Sequence, residues 1–254
     1  MFLLSFVLTF VLFSPLANAG DITLNADKSV EYHQKEQKLV ATGNAIATKD
    51  DLKIQAETLI GYYNAKVKNK INRIEAHQNV HMTSPQAQAF GENLVYDIKT
   101  DNIILTGHPA KIITPDATIT AQGEIVYYQT SQKATASDNV TVIDNKNNKV
   151  FSDFMTAHFI RNDKNKIILD KIEINQNIKI VTPDATITAD NGTYYSIENK
   201  INLFDNVVIT QNGNILKGDK AETNLNTGIS KILSNKKTGR VSGIFKEKKK
   251  RNNQ

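Results

Sequence analysis

One eight-residue phrase occurs twice in this chain of 254 residues, and it limits the fold more than any other feature. The phrase Thr-Pro-Asp-Ala-Thr-Ile-Thr-Ala stands at Thr114–Ala121 and again at Thr182–Ala189. An identical phrase at two places indicates a repeat protein, in which each unit adopts the same local structure and packs on its neighbours. The fold and the function therefore have to be interpreted through the repeat.

Each copy lies inside a longer unit that opens and closes with an alternating apolar run. This period of two is typical of β-strands that bury one face. Most closing runs end in a small residue and an acid. After these two residues the alternation of apolar and polar positions shifts by one, and aromatic residues often follow. We therefore predict a β-bulge or bend at that point in each unit. The six openings begin at Asn44, Asn79, Pro109, Asn139, Asn177 and Asn206, and the closing acids are Glu57, Glu92, Asp153, Asp190 and Asp219.

The units predict one all-β domain over residues 20–234, built from about six two-strand repeats. Thr, Ile, Val and Tyr are frequent in the alternating runs, whereas apolar residues at helical spacing are scarce. Turn-forming residues such as Asp101, Asn165 and Asn199 separate the strands. No linker rich in Gly, Ser or Pro interrupts the repeats, so a single domain is favoured.

The first 19 residues are predicted to be a signal peptide. Phe2–Phe13 is an uncharged apolar run, and Ala17-Asn18-Ala19 supplies the small residues that precede a cleavage site before Gly20. The run is shorter than the ~20 residues of a membrane span. Because no Lys or Arg precedes it, an uncleaved anchor remains the alternative.

The last 20 residues carry the positive charge of the chain. Residues 235–254 contain eight Lys/Arg and one Glu, a net +7, whereas the whole chain is +5, so the remainder is −2. We predict a disordered basic tail, with a patch for phosphates or an anionic membrane as the alternative. The acidic remainder argues against a nucleic-acid partner.

The motifs of common enzyme classes are absent from the sequence. There is no Cys, hence no disulfide and no thiol nucleophile, and no Gly-x-Ser-x-Gly or phosphate-binding loop occurs. His77 and His81 are four residues apart, but no third His nearby would complete a zinc site. The closing acids recur once per unit, as structural positions do. We predict no enzymatic activity, no catalytic residue, no cofactor and no metal.

Several units together resemble a known family. The pattern of Asn-Val-x-Val, a polar turn, Ile-x-Ala-acid and then Tyr, seen in Ala41–Tyr63, His77–Tyr96 and Gln176–Tyr195, resembles the OstA-like repeat of lipopolysaccharide transport proteins. The ending Thr238–Phe245 is similar to that of the family's periplasmic bridge members. The resemblance covers roughly residues 21–245.

This resemblance implies an open β-jellyroll of V-shaped antiparallel sheets in the periplasm. Its apolar groove would hold the acyl chains of lipid A, and self-association by head-to-tail strand addition would bridge the inner- and outer-membrane export components. Along the apolar face, the expected groove residues are Ile54, Val80, Met82, Leu94, Ile112, Ile119, Val140, Val142, Ile178, Ile180, Ile187, Val207 and Ile209. The expected edge-strand residues are Ile22, Leu24, Ile215, Leu225 and Ile229.

Two other interpretations remain open from the sequence. One is the inner-membrane-anchored component of the same system, which would retain residues 1–19. The other is a right-handed β-helix that binds or cleaves polysaccharide, because repeats of this length also form solenoids.

Overall fold

The computed structural model describes residues 22–64, 70–234 and 240–245, and these residues form 18 β-strands. The described residues contain no helix long and apolar enough to cross a membrane. In chain order the strands are β1 (Thr23–Asn25), β2 (Ser29–His33), β3 (Lys38–Lys49), β4 (Leu52–Asn64), β5 (Lys70–Thr83), β6 (Gln88–Asp97), β7 (Asn102–Thr106), β8 (Ala110–Ile113), β9 (Ala117–Ala121), β10 (Glu124–Tyr128), β11 (Lys133–Asp144), β12 (Lys149–Arg161), β13 (Ile167–Val181), β14 (Ala185–Tyr195), β15 (Lys200–Gln211), β16 (Asn214–Asn224), β17 (Ile229–Leu233) and β18 (Ser242–Ile244).

The strands form a meander in which neighbours in the sequence are neighbours in the sheet. Strands β3 to β6 pair consecutively, and so do β11 to β16. Each of these pairs is antiparallel. The predicted all-β class and the antiparallel pairing are confirmed. A right-handed β-helix has parallel strands, so the β-helical interpretation is wrong.

The long strands bend at a bulge near their middle. In β13 and β14, Asn175 pairs with Asn191 and Ile178 with Ala189, so two residues of β13 face the single Asp190. The same two-to-one count occurs in the β3–β4, β5–β6, β11–β12 and β15–β16 pairs. Both bulge residues have positive φ, for example 65° at Gln176 and 54° at Asn177. Asn tolerates this left-handed region better than most residues, which explains the recurring Asn.

The bulges of neighbouring strands form a line across the sheet, which we call the bulge line. It divides the sheet into two arms. Arm A contains β2, β7, β10 and β17, arm B contains β1, β8, β9 and β18, and the longer strands run through both. In the middle of the chain, one repeat is interrupted at the line, so that β7 and β8, and then β9 and β10, are separate strands.

The bulge also explains the predicted parity shift. In β14 the buried residues are Ile187 and Ala189 before Asp190, and Gly192 and Tyr194 after it. At the bulge, where β13 contributes the extra residue, the inward positions of β14 change from odd to even numbers. The predicted bulge after each small residue is therefore confirmed in these strands. One expectation was incomplete: the Asn of each opening does not start a strand but bends a strand that began earlier, as Asn44 does within β3.

The repeated phrase forms the turn that leads into an arm B strand. In both copies, Thr114–Ala117 and Thr182–Ala185, the Thr backbone N–H donates to the Ala carbonyl at 2.9 Å. In both, the Thr hydroxyl also accepts from the Ala N–H. Ser84–Ala87 makes the same bonds at a third place. The sequence Ser/Thr-Pro-x-Ala is thus a turn that the fold uses three times.

The end of the domain and the position of the second edge differ from the sequence-based expectation. Ser242–Ile244 forms β18 and pairs with Lys217–Ile215 of β16, so the sheet continues beyond residue 234. β16 pairs with β15 on one side and with β17 and β18 on the other. Ile215 and Leu225 were therefore wrongly expected at an edge, because Ile215 lies in an internal strand and Leu225 is buried directly after it. Residues 1–19 and 246–254 lie outside the described part, so the signal peptide and the end of the tail stay predictions.

Candidate functional site

The inward faces of both arms form one continuous apolar interior. A single cluster of buried hydrophobic residues extends from Ala41 in β3 to Leu225 after β16. All 13 residues expected to line the groove belong to it, and none is more than 9% exposed: Ile54, Val80, Met82, Leu94, Ile112, Ile119, Val140, Val142, Ile178, Ile180, Ile187, Val207 and Ile209. The alternation in the sequence therefore placed these side chains correctly.

The two arms pack face to face. A void of about 30 Å³ is lined by Ile125 and Met155 of arm A and by Ile119 and Val142 of arm B. Residues from both arms can share one void only if their inward faces meet. The void is lined almost wholly by apolar atoms, and it has room for about one water molecule. The void as it stands is therefore too small for an acyl chain.

Asn side chains bind the closing acids along the outside of the bulge line. Asn177 Nδ2 donates to Asp153 Oδ2 at 2.6 Å, and Asn206 Nδ2 donates to Asp190 Oδ2 at 2.7 Å. At the first corner, Lys28 Nζ lies 2.7 Å from Glu57 Oε1, and this hydrogen bond holds the pKa of Glu57 below its usual range. These contacts agree with the structural role predicted for the acids.

A row of large side chains lies at the outer end of arm A, on the inward face. Each closing strand contributes one just before, or directly at, its turn, and each is at most 5% exposed: Tyr63, Tyr96, Tyr127, Phe159, Tyr194 and Leu225. We call this row the rim. Tyr96 donates to Asp101 Oδ1 at 3.2 Å, and Tyr194 donates to Asn199 Oδ1 at 3.3 Å. The rim covers the interior where arm A ends.

Burial governs the ionisation of the rim. Desolvation raises the pKa of Tyr96, Tyr127 and Tyr194 to about 12. The carboxylate of Asp101 adds to the upward pKa shift of Tyr96 and Tyr127. These hydroxyls are therefore neutral hydrogen-bond donors at physiological pH.

Each end of the meander is an edge, at which the outermost strands pair on one side only among the described strands. β1 and β2 pair with β3 alone, and β17 and β18 pair with β16 alone. Ile22 and Leu24, expected at an edge, lie at the first, and Ile229, also expected there, lies at the second. Eight of the ten exposed large hydrophobic residues of the described chain are at these edges: Ile22, Val30, Tyr32, Ile229, Leu233, Val241, Ile244 and Phe245. Exposed apolar surface is thus concentrated where backbone groups are unpaired.

One row of cross-strand partners connects the two edges without interruption. It begins at Glu31, which pairs with Val40, and ends at Lys231, which pairs with Glu222. The adjacent inward row begins at Val30 and ends at Ile232. The first edge therefore presents an acid beside an apolar residue, and the second edge presents a base beside an apolar residue.

A second, polar hollow of about 560 Å³ lies on the bulge line at the interrupted repeat. Glu92, His108, Glu124 and Asp138 are among the residues that line it. Nevertheless, the described residues contain no group of three or more His, Asp or Glu that could hold a metal ion. His77 bonds to Asn93 and His81 stacks on Phe90, so neither lies in a cluster of ligands.

Residues 23–133 and residues 110–229 each match the family described as "LptA/(LptD N-terminal domain) LPS transport protein". The chain belongs to this family. The predicted relationship to OstA-like lipopolysaccharide transport proteins is confirmed. No curated protein matches the chain. Among solved structures, it is similar to the crystal structure of LptH, the LptA homologous periplasmic component of the conserved lipopolysaccharide transport device from Pseudomonas aeruginosa, at 10% identity over 90% of this chain and 96% of that chain, with a TM-score of 0.23.

Sequence reasoning on this LptA-type chain missed the rim and the strand β18 at the second edge. The signal for the rim was present, because an aromatic residue follows the closing position in most repeats, for example Tyr96 after Glu92 and Phe159 after Asp153. Its place at the end of the arm depends on where each turn falls. The strand β18 was missed because it has only three residues, too few to show an alternating pattern.

Proposed function

We propose that this protein is a periplasmic lipopolysaccharide carrier that shields acyl chains between its arms. The observation that carries the proposal is the unbroken cluster of buried apolar residues from β3 to β16 in a member of a lipopolysaccharide transport family. Apolar chains leave water favourably at roughly 25 cal/mol per Å² of buried area. An interior of this kind suits a ligand with several acyl chains.

In this proposal, loading requires the arms to separate, and the bulge line is the hinge. The bulges interrupt the ladder of hydrogen bonds between strands at one position in each repeat, whereas the described strands have only two register shifts within an arm, at Tyr62/Tyr63 and at His158/Phe159. Bending about this line changes few backbone bonds. The cost is the apolar contact between the arms, which the acyl chains replace.

We further propose that copies associate head to tail by strand addition, and so bridge the inner- and outer-membrane export components. Edge strands with unpaired backbone groups either aggregate or bind another strand. β17 runs toward the bulge line and β2 runs away from it, so the two pair antiparallel when arm A of one copy continues into arm A of the next. Extension of the observed rows places Lys231 opposite Glu31 of the next copy, and Ile232 opposite Val30.

A second candidate is the inner-membrane-anchored component of the same system. It differs in retaining residues 1–19, which lie outside the described residues. Mass spectrometry of the purified protein decides between them: a mature chain beginning at Gly20 supports the carrier, whereas retained Met1–Ala19 with membrane association supports the anchored component.

Photo-crosslinking tests the carrier function. A photoreactive amino acid at Val80, Met82, Ile180 or Ile187 faces the interior, so it should label lipopolysaccharide. The same group at Lys111 or Lys179, which lie on the outward face next to inward residues, should not. Mass spectrometry of lipid that co-purifies from the cell envelope gives the ligand's identity. Equal labelling of both faces would indicate adsorption to the surface and refute the groove.

A further inference from the structure

The rim contains a buried polar group that the fold itself does not use. The hydroxyl of Tyr127 is buried, and no described residue makes a hydrogen bond with it. Tyr127 as a whole is 5% exposed. Tyr96 and Tyr194 of the same rim have acceptors, Asp101 and Asn199. A buried hydroxyl without a partner costs free energy, so its presence in a native structure calls for an explanation such as strain, a bound water molecule or a ligand.

Tyr127 also lies next to the small apolar void between the arms. Its cross-strand partner Ala134 lines the 30 Å³ void, and so does Ile125, two residues earlier on the same strand. The void continues along Ala136 and Ala157. Small side chains on adjacent strands leave space here that no neighbour fills. An acyl chain that enters beside these alanines therefore meets little side-chain volume.

The charges around the hydroxyl favour a neutral hydrogen-bond acceptor. The carboxylate of Asp101 and the guanidinium of Arg161 both act on Tyr127, with opposite sign, and burial keeps its hydroxyl protonated. The hydroxyl can therefore donate its proton to a carbonyl oxygen without a change of charge. An acyl chain carries one such oxygen where its ester or amide joins the head of the ligand.

From this geometry we propose that Tyr127 binds the ester or amide carbonyl of an acyl chain lodged between Ala134, Ala136 and Ala157, and thereby fixes how deep the chain lies. The inference rests on the proposed carrier function and adds a polar anchor to it. The apolar interior alone would take any chain at any depth, whereas a donor at the rim selects ligands with a carbonyl at the head of the chain.

The test compares two lipids and three proteins. The lipids are dihexadecanoyl phosphatidylglycerol, with two ester carbonyls, and its dihexadecyl ether, which has none. The proteins are the wild type, Tyr127→Phe and Tyr194→Phe, the last a matched control because it removes a rim hydroxyl that already has an acceptor. Affinity is measured by displacement of a fluorescent fatty acid, and stability by thermal unfolding.

We expect Tyr127→Phe to weaken binding of the diester roughly three- to ten-fold, the effect of one neutral hydrogen bond, and to leave binding of the diether unchanged. Tyr194→Phe should leave the ratio of the two affinities as in the wild type. Tyr127→Phe should not lower the melting temperature, since no internal bond is lost, whereas Tyr194→Phe should lower it.

If the wild type binds both lipids equally, or Tyr127→Phe weakens both equally, the anchor is refuted while the carrier function stands. If the wild type binds neither lipid and no lipopolysaccharide, both proposals fail.

Discussion

At the residue scale, left-handed backbone positions decide where this sheet bends. Five pairs of consecutive residues with positive φ stand on the bulge line, and in each pair the second residue is Asn. For most L-residues this conformation costs ~1–2 kcal/mol, and Asn lowers that cost by local hydrogen bonding. The side chain has a second role, because in two of these pairs its amide binds the closing acid of the preceding strand.

Substitution of Asn206 separates these two roles. Asn206→Ala should destabilise the protein by about 2 kcal/mol, because Ala lacks the polar side chain that helps Asn to tolerate positive φ, and because the bond to Asp190 is lost. Asn206→Gly keeps the backbone tolerant and should cost less, about 1 kcal/mol, through the lost bond alone. Urea unfolding followed by circular dichroism measures both. Equal losses would show that the backbone conformation contributes nothing.

The rim tyrosines should make the free energy of unfolding depend on pH in the alkaline range. Their pKa in the folded protein is about 12, above the usual value of about 10 in an unfolded chain. The neutral form is favoured by folding, so the contribution is complete below pH 10 and is lost as pH rises from 10 toward 12. We expect tyrosinate absorbance at 295 nm and loss of β-sheet circular dichroism to coincide in this range. In the double variant Tyr96→Phe/Tyr194→Phe, the loss of structure should occur at higher pH than in the wild type once the difference in stability at pH 7 is taken into account. A transition at the same pH would contradict this cause.

At the element scale, the sequence predicted which residues face inward but not how long the strands are. Alternation in β13 and β14 is unambiguous, and every expected groove residue is buried. The two-residue bulge keeps the parity in the opening strands, so that Ala41 and Ala45 are both inward in β3. Strand length was nevertheless underestimated, because the Asn was interpreted as the start of a strand and the continuous strand was divided there. The packing of the two arms depends on contacts between distant repeats, which a local pattern does not contain.

Charge reversal at the edges tests the head-to-tail register. Glu31→Lys or Lys231→Glu should each lower concentration-dependent association, because like charges would then lie opposite each other in neighbouring copies. The double variant Glu31→Lys/Lys231→Glu should restore association. Sedimentation velocity measures the three proteins, and a double variant as weak as either single variant would refute this register.

Backbone pairing gives a second test of the same contact. Val30→Pro in β2 and Ile232→Pro in β17 each remove a backbone N–H that points away from the sheet at an edge, and both should reduce association. Ile215→Pro is no longer an edge variant, since β16 is internal, and it should lower stability instead.

At the scale of the whole molecule, the arms and the basic tail are expected to act separately. The tail residues Lys246–Arg251 follow the second edge, but the rows that define the edges end in β17 and β18. Deletion of Lys246–Gln254 should leave the oligomer largely intact and weaken binding to vesicles with phosphate-bearing lipid at low salt, because screening weakens such attraction as salt rises. If the deletion abolishes the oligomer while the proline variants, still folded, retain it, association is electrostatic.

The order of the strands has a consequence for how the protein is made. Each strand closes only a short loop to reach its partner, so the entropy cost of every pairing step is small. A chain delivered N-terminus first can therefore add each new hairpin to an edge that is already finished, without waiting for its C-terminus. Growth of this kind has no fixed stopping point: one more repeat would lengthen the cavity by about two strand spacings, roughly 10 Å, and would rearrange nothing already built.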